Sequence, residues 1–474
     1  MKRGFLAVIG AKALIAGLVL ALMVMVLSGA AEAAPLMPDA DPFYRPPASL
    51  ASYAPGAIIR SREVETSLGP LPTSVLGAKS YQLLYRTNDP ESRPIANVTT
   101  LLVPIAPKLS GGRELVSLQD AEDSLTTNCA PSYQLQVGEQ DNADMLAEFT
   151  AAAPTQIAAG RTLLIPDPYG PQSEFLVTRM EAFAILDSIR AAERFPAAQL
   201  DGVRTPVVLI GYSGGGHETM AAAELQHTYA PELKIVGAAA GGTPAGDDET
   251  FRYFDGREGS GVVMGAMIAL ERAYPSLGWS SLLNDYGRSV AARMEKGPGC
   301  VTPVVSGQDH IADWTTVPDP LGVPRIAREI AANALGSSAP IMPTFLYVSQ
   351  HDELISLSDS DKLAARYCEG GTQLDYYRDP IEYQGPLGDH TEAAILGFIP
   401  RALAYANDRF AGSPAPTTCA PTAAGTKATP SPSSVLGKRT ALPATGAGSA
   451  PPLTLVMIGI AAMLAIRTRR AGAS

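Results

Sequence analysis

The chain has 474 residues, 46% of them hydrophobic and 18% charged, enough to bury a sizeable core and more than one small domain needs. With 36 basic and 47 acidic residues the formal net charge is −11, and an acidic surface does not track a phosphate backbone, so nucleic acid is not an expected partner. The four cysteines form no Cys-x-x-Cys or His-Cys cluster, which argues against a metal site.

At the start of the chain Lys2, Arg3 and Lys12 precede an apolar run from Ala13 to Leu27, followed by the small-residue stretch Ser28 to Ala34. That order predicts a secretory signal peptide over residues 1–33, cut after Ala33. The apolar run is shorter than the ~20 residues of a spanning helix. In an exported protein Cys129, Cys300, Cys368 and Cys419 are expected to form two disulfides, and spacing alone leaves three pairings open.

Residues 34–245 read as the first part of an α/β core. Ser80 to Tyr85 and Val98 to Pro104 are early strands. Leu115 to Leu118, Leu163 to Ile165, Val207 to Ile210 and Ile235 to Ala239 are continuous apolar runs, the mark of strands covered on both faces. Helical patterns such as Thr178 to Ala192 lie between them, which predicts βαβ units and a mostly parallel sheet.

The strand Val207 to Ile210 runs into Gly211-Tyr212-Ser213-Gly214-Gly215, with helix formers from Glu218 to Leu225 behind it. A serine at a sharp strand-to-helix turn takes a strained backbone, and glycines two before and two after it let the turn close. The hydroxyl of Ser213 is then presented above the sheet at the positive end of a helix, as a nucleophile requires. Gly-x-Ser-x-Gly in this setting predicts an α/β-hydrolase fold.

From 246 to 339 the strand signal lapses. Val262 to Leu270, Leu282 to Met294 and Ile326 to Leu335 read as a largely helical insertion, a cap over the sheet. Thr344 to Ser349 resumes the sheet, and residues 340–411 form the second part of the core. That strand ends at Gln350-His351-Asp352-Glu353, which puts a carboxylate at the carboxyl edge of the sheet.

A serine needs a base to take its proton, and the chain has five histidines. In this fold the order is serine, acid, histidine, which removes His217 and His227. His310 lies in the insertion. His351 shares a tight loop with the acid, so it is a neighbour rather than the base. His390 remains, in the loop Pro386 to His390 before a helix from Thr391 to Leu396. Asp352 is the expected acid, with Glu353 as the fallback. One oxyanion N–H is expected from Gly214, and the other from the loop Gln119 to Ser124, where composition selects no residue.

After Gly412 the chain is Ala, Pro, Thr, Ser and Gly, a composition that predicts an extended linker over 412–441. Residues 442–474 hold Leu442-Pro443-Ala444-Thr445-Gly446, the apolar stretch Leu453 to Ile466, and Arg467, Arg469 and Arg470. In this order they resemble the LPxTG cell-wall sorting signal of Gram-positive bacteria, in which a sortase joins the threonine, here Thr445, to peptidoglycan. The other reading is a plain transmembrane anchor. Losing both terminal signals removes six basic residues and one acidic residue, which takes the net charge from −11 to −16.

Several blocks together resemble the secretory lipases of the Candida lipase A type. They are Asp41-Pro42-Phe43-Tyr44, Ala121-Glu122-Asp123-Ser124, Cys129 to Tyr133, the serine turn, Tyr229 to Leu233, Gly241 to Pro244, Asp352-Glu353 and His390 to Ala393. The resemblance covers about Asp41 to Ala411. It implies ester hydrolysis on acylglycerols, a helical cap lining the acyl site, and no cofactor. It further implies Asp123 as the second oxyanion residue and the pairings Cys129 with Cys300 and Cys368 with Cys419. Two departures stand out: Leu354-Ile355-Ser356 follows the acid where the family often has Val-Pro, and a linker replaces the structured tail of the fungal relative.

The sequence thus predicts a secreted, wall-anchored, monomeric triacylglycerol lipase or esterase. A serine peptidase or cell-wall acyltransferase can use the same three residues, since fold and triad do not fix the leaving group. A non-catalytic surface binding module is the third class.

Overall fold

Runs such as Leu163-Leu164-Ile165 and Val207-Val208-Leu209-Ile210 have no polar face, so they are stable only where both sides of the strand are covered. Both lie in strands buried at every residue. A computed structural model describes residues 34–420 except 70, 109–111, 139–142, 297–299, 301–306 and 386, and omits the side chains of 143–149. The sheet, its helices and the site belong to a compact unit that begins at Met37. The signal peptide, the linker beyond residue 420 and the segment 442–474 with Thr445 lie outside the described residues.

Nine strands form one sheet: β1 Ile58–Val64, β2 Ala78–Asn88, β3 Pro94–Pro104, β4 Leu115–Gln119, β5 Thr162–Pro166, β6 Val207–Tyr212, β7 Ile235–Gly241, β8 Thr344–Ser349 and β9 Leu374–Asp379. Their order is β1-β2-β3-β5-β4-β6-β7-β8-β9. From β5 to β9 every neighbouring pair is parallel, and β1, β2 and β3 join antiparallel at one edge. This is the expected mostly parallel sheet of an α/β-hydrolase. The two edge strands β1 and β9 were not expected from the sequence. Each carries charged residues, Arg60, Arg62 and Glu63 in one and Asp375 and Arg378 in the other, because one side of an edge faces solvent.

Alternate residues of each strand feed two cores, as the period of two requires. Val207 and Leu209 join the helices α1 Thr178–Arg194 and α2 Gly214–Tyr229 on one face. Val208, Ile210 and Tyr212 face the opposite core, where Phe398 and the C-terminal helix Ile399–Phe410 pack.

Between β7 and β8 the described residues contain no strand, only an isolated bridge between Leu283 and Thr315. The insertion is built on α3 Gly261–Ala273, α4 Asp285–Lys296 and α5 Pro324–Asn333. Its two ends meet where the Leu335 N–H donates to the Ala245 carbonyl at 2.9 Å. The run Gly261 to Leu270 is buried at every residue, so α3 is the insertion's own core helix rather than a helix with one apolar stripe. It packs with Trp279 and Trp314 and with Leu125, Tyr169, Phe175, Leu176 and Val177, which follow β4 and β5. The insertion therefore sits over the carboxyl ends of the strands. No helix among the described residues is long and apolar enough to cross a membrane.

Two disulfides join Cys129 to Cys300 and Cys368 to Cys419, each with Cα atoms 5.4 Å apart. The first ties the segment after β4 to the insertion. The second fixes the chain that composition reads as linker: before Cys419, Thr418 N–H donates to the Leu374 carbonyl at 2.7 Å and the Thr418 hydroxyl accepts from Tyr376 N–H at 2.9 Å. The segment before Cys419 is thus tied to β9 at Thr418, by one backbone bond and one hydroxyl that composition does not encode.

Candidate active site

The strand β6 ends at Tyr212, and Ser213 stands in the left-handed region with φ +56° and ψ −123°, directly before α2. Few residues other than glycine adopt such a backbone, and it persists only where its surroundings hold it. The neighbouring glycines show why. A Cβ on Gly211 would lie 2.1 Å from the Gly215 carbonyl oxygen, and one on Gly215 would lie 2.4 Å from the Gln119 carbonyl oxygen. The turn closes only because both side chains are missing. Ser213 N–H donates to the Gly241 carbonyl at 2.9 Å, which ties the turn to β7.

His390 follows β9 at the head of the short helix Asp389–Glu392, which continues through a π-helical stretch, Ala393–Phe398. Its Nε2 is 2.9 Å from Ser213 Oγ. On the other side Nδ1 lies 2.9 and 2.8 Å from the two carboxylate oxygens of Asp352. Asp352 Oδ1 also accepts the backbone N–H groups of Leu354 and Ile355 at 2.9 and 2.8 Å, so the carboxylate is fixed by its own loop. Its side chain is 0% exposed and that of His390 is 8% exposed, so the acid is sealed while the imidazole keeps an open edge. The Tyr212 ring lies against the imidazole with centroids 5.0 Å apart.

Glu353, the fallback acid, does not reach the imidazole among the contacts observed. Its carboxylate accepts the backbone N–H of His390 at 3.0 Å, and a Cβ on Gly388 would lie 2.4 Å from its Oε1. It holds the histidine loop rather than the ring. The buried carboxylate of Asp389 does the same from beneath, accepting from the Ser349 hydroxyl and from Tyr383 N–H at 2.7 Å. The other histidines are elsewhere: His351 and His310 are exposed, and His227 Nδ1 is 3.0 Å from the Glu224 carbonyl.

Gly214 begins α2, whose N-terminal dipole favours negative charge. Asp123, in the loop after β4, faces it: a Cβ on Gly214 would lie 2.2 Å from Asp123 Oδ1. Asp123 itself has φ +38°, a left-handed backbone for a residue with a side chain. The Tyr169 hydroxyl donates to Asp123 Oδ1 at 3.3 Å. Sequence reasoning found no reason to single out Tyr169, which follows β5 without a motif.

Behind this loop lies a group of buried acids that sequence reasoning also missed. Glu122 and Glu218 are fully buried, and burial first, then the neighbouring carboxyls of Asp120, Asp123 and Glu181, holds both well above the usual carboxylate range. Burial likewise lifts Asp167 to about 7. Glu181 meets His217 with Oε2 and Nδ1 2.6 Å apart. In the sequence Glu181 and Glu218 fall among apolar helix positions, and Asp120, Glu122 and Asp167 in loops after strands, with no common period.

The geometry brings together a serine, an imidazole and a carboxylate in the order an acyl transfer uses, with Asp123 beside Gly214 at the same turn. Comparison with known proteins gives the family. The secretory lipase family matches residues 144–418. A probable inactive lipase of Mycobacterium tuberculosis is 34% identical over 388 residues, 80% of this chain and 84% of that protein. A secreted triacylglycerol lipase of Malassezia furfur is 28% identical over 383 residues, 79% of this chain and 80% of its own length. The crystal structure of Candida antarctica lipase A in its closed state superposes with a TM-score of 0.73 at 27% identity, covering 82% of this chain and 91% of that one. The chain belongs to the secretory lipase family and is a carboxylic ester hydrolase.

Proposed function

We propose that this hydrolase acts on acylglycerols or related carboxylic esters through an acyl-enzyme on Ser213, with His390 as general base and Asp352 as its partner. Ser213 Oγ attacks the ester carbonyl as His390 Nε2 takes its proton, and the Asp352 carboxylate holds the imidazolium. The N–H groups of Gly214 and Asp123 stabilise the tetrahedral oxyanion. His390 then returns the proton to the leaving alcohol, and water repeats the sequence on the acyl-serine. The observation that carries this reading is the unbroken line from Asp352 through His390 to Ser213, at 2.8 and 2.9 Å.

The Mycobacterium tuberculosis relative, described as a probable inactive lipase, suggests a second reading, a non-catalytic surface protein. The intact line of three side chains favours the catalytic one. Ser213→Ala is expected to lower ester hydrolysis by at least about 10³-fold, and a variant that keeps most of the activity contradicts the scheme. Rates on p-nitrophenyl acetate and palmitate tell the substrate class: faster turnover of the long chain supports a lipase, and preference for acetate supports an esterase.

We also propose that the mature protein is exported and joined to peptidoglycan through Thr445. The support is the order of the pentapeptide, the apolar stretch and the three terminal arginines. Release from cells by muramidase digestion and not by detergent is the expected result. Release by detergent alone means a membrane anchor instead.

A further inference from the structure

Chain order excludes His217 as the base, yet it is fully buried four residues beyond Ser213, and its backbone N–H donates to the Ser213 carbonyl at 3.0 Å. Its ring is clamped. Nδ1–H donates to the Glu181 carboxylate of α1 at 2.6 Å, with both side chains fully buried. On its other side Nε2 lies 3.4 Å from the Thr178 hydroxyl oxygen. That hydroxyl donates to the Asn333 carbonyl, so the ring, Thr178 and the end of α5 stand in one chain of contacts.

Asn333 is the last residue of α5, at the far end of the insertion. Its Oδ1 accepts from Thr178 N–H at 3.0 Å, and its Nδ2 donates to the Leu176 carbonyl at 2.6 Å. The near end of the insertion also meets the ring: at Gly246, with φ +69°, a Cβ would lie 3.3 Å from His217 Nε2. One root of the insertion thus adjoins the His217 ring directly and the other reaches it through the Thr178 hydroxyl, in the first turn after Ser213.

A buried imidazole hydrogen-bonded to a carboxylate is no efficient source of stability, because an apolar pair of similar volume often serves as well. Its use here calls for a positional reason, and the strained turn at Ser213 supplies one. We propose that His217 is a positioning residue for acyl transfer: held between Glu181 and Thr178, it fixes the turn at Ser213 against the neck of the helical insertion, so that nucleophile and insertion share one joint. The proposal rests on Ser213 as the nucleophile.

The test compares His217→Leu, His217→Asn, Glu181→Gln and Ser213→Ala in the purified protein, reading fluorophosphonate labelling rate, kcat and KM on p-nitrophenyl butyrate, and Tm. His217→Leu is expected to lower labelling and kcat about 10- to 100-fold with KM little changed, as a small displacement of a nucleophile does. His217→Asn keeps a donor near the Nδ1 position and is expected to recover most of that loss. Where His217→Leu fails to fold, Glu181→Gln, which keeps the volume, is expected to slow labelling by about 10-fold. A folded His217→Leu or Glu181→Gln that labels at the wild-type rate with only a lower Tm overturns the proposal, as does a His217→Asn no better than His217→Leu. A Ser213→Ala protein that still labels overturns the nucleophile assignment instead.

Discussion

Asp352 and Glu353 are adjacent in the chain and meet His390 in different ways. The first takes both lone-pair edges of its carboxylate to Nδ1, and the second takes the backbone N–H of the same residue. An amide at 352 would present an N–H toward Nδ1 and favour the wrong tautomer, so Asp352→Asn is expected to lower kcat on p-nitrophenyl butyrate by about 10³- to 10⁴-fold. Glu353→Gln keeps an acceptor for the loop and should lower kcat by less than about 10-fold. The reverse order of effects would move the acid to Glu353. Ser213 and His390 were legible because a strand-turn-helix pattern and chain order select them without any coordinates. Asp123 was not legible from composition, since its place depends on a left-handed backbone at φ +38° that nothing in Gln119 to Ser124 announces.

At the scale of elements, the insertion is bound to the core by its neck at Ala245 and Leu335 and by the Cys129–Cys300 disulfide, which spans 171 residues. Closing so long a loop removes much of the freedom of the unfolded chain, worth about 2–5 kcal/mol. Replacing both cysteines by serine is expected to lower Tm by roughly 5–10 °C. Labelling of Ser213 at room temperature should persist, because the line from Asp352 through His390 to Ser213 is built from β6, β8 and the loop after β9 rather than from the bridged segments. Loss of labelling with an unchanged Tm would place the disulfide in the site itself. The interior strands and the helical character of the insertion were readable from continuous apolar runs. The edge strands β1 and β9 were not, because a strand half in solvent alternates with charges and resembles a loop. The segment before Cys419 was hidden for a different cause: its hold on β9 comes from one backbone bond, the Thr418 hydroxyl and one cysteine rather than from apolar side chains.

For the whole molecule the buried acids set the dependence of stability on pH. Burial raises Asp359 to about 6, Asp167 and Glu174 to about 7 and Glu193 to about 8, and it also holds Glu122 and Glu218 well above the usual carboxylate range. The folded protein then keeps protons that the unfolded chain gives up above about pH 4.5, so stability falls as pH rises through the window from about 5 to about 8. The excess of acidic over basic residues pushes in the same direction by self-repulsion. Tm is expected to drop by roughly 5 °C or more between about pH 5 and about pH 8, measured by calorimetry in low salt. A Tm that rises over that interval would mean that these acids are ionised in the folded state.

The proposed mechanism requires one oxygen atom, Ser213 Oγ, to become covalently modified. Treating the purified protein with a fluorophosphonate and mapping the adduct by peptide mass spectrometry is the most direct check. A single adduct on Ser213, abolished by replacing His390, is the expected result. A protein that forms no adduct, or forms it on another residue, contradicts the acyl-serine mechanism.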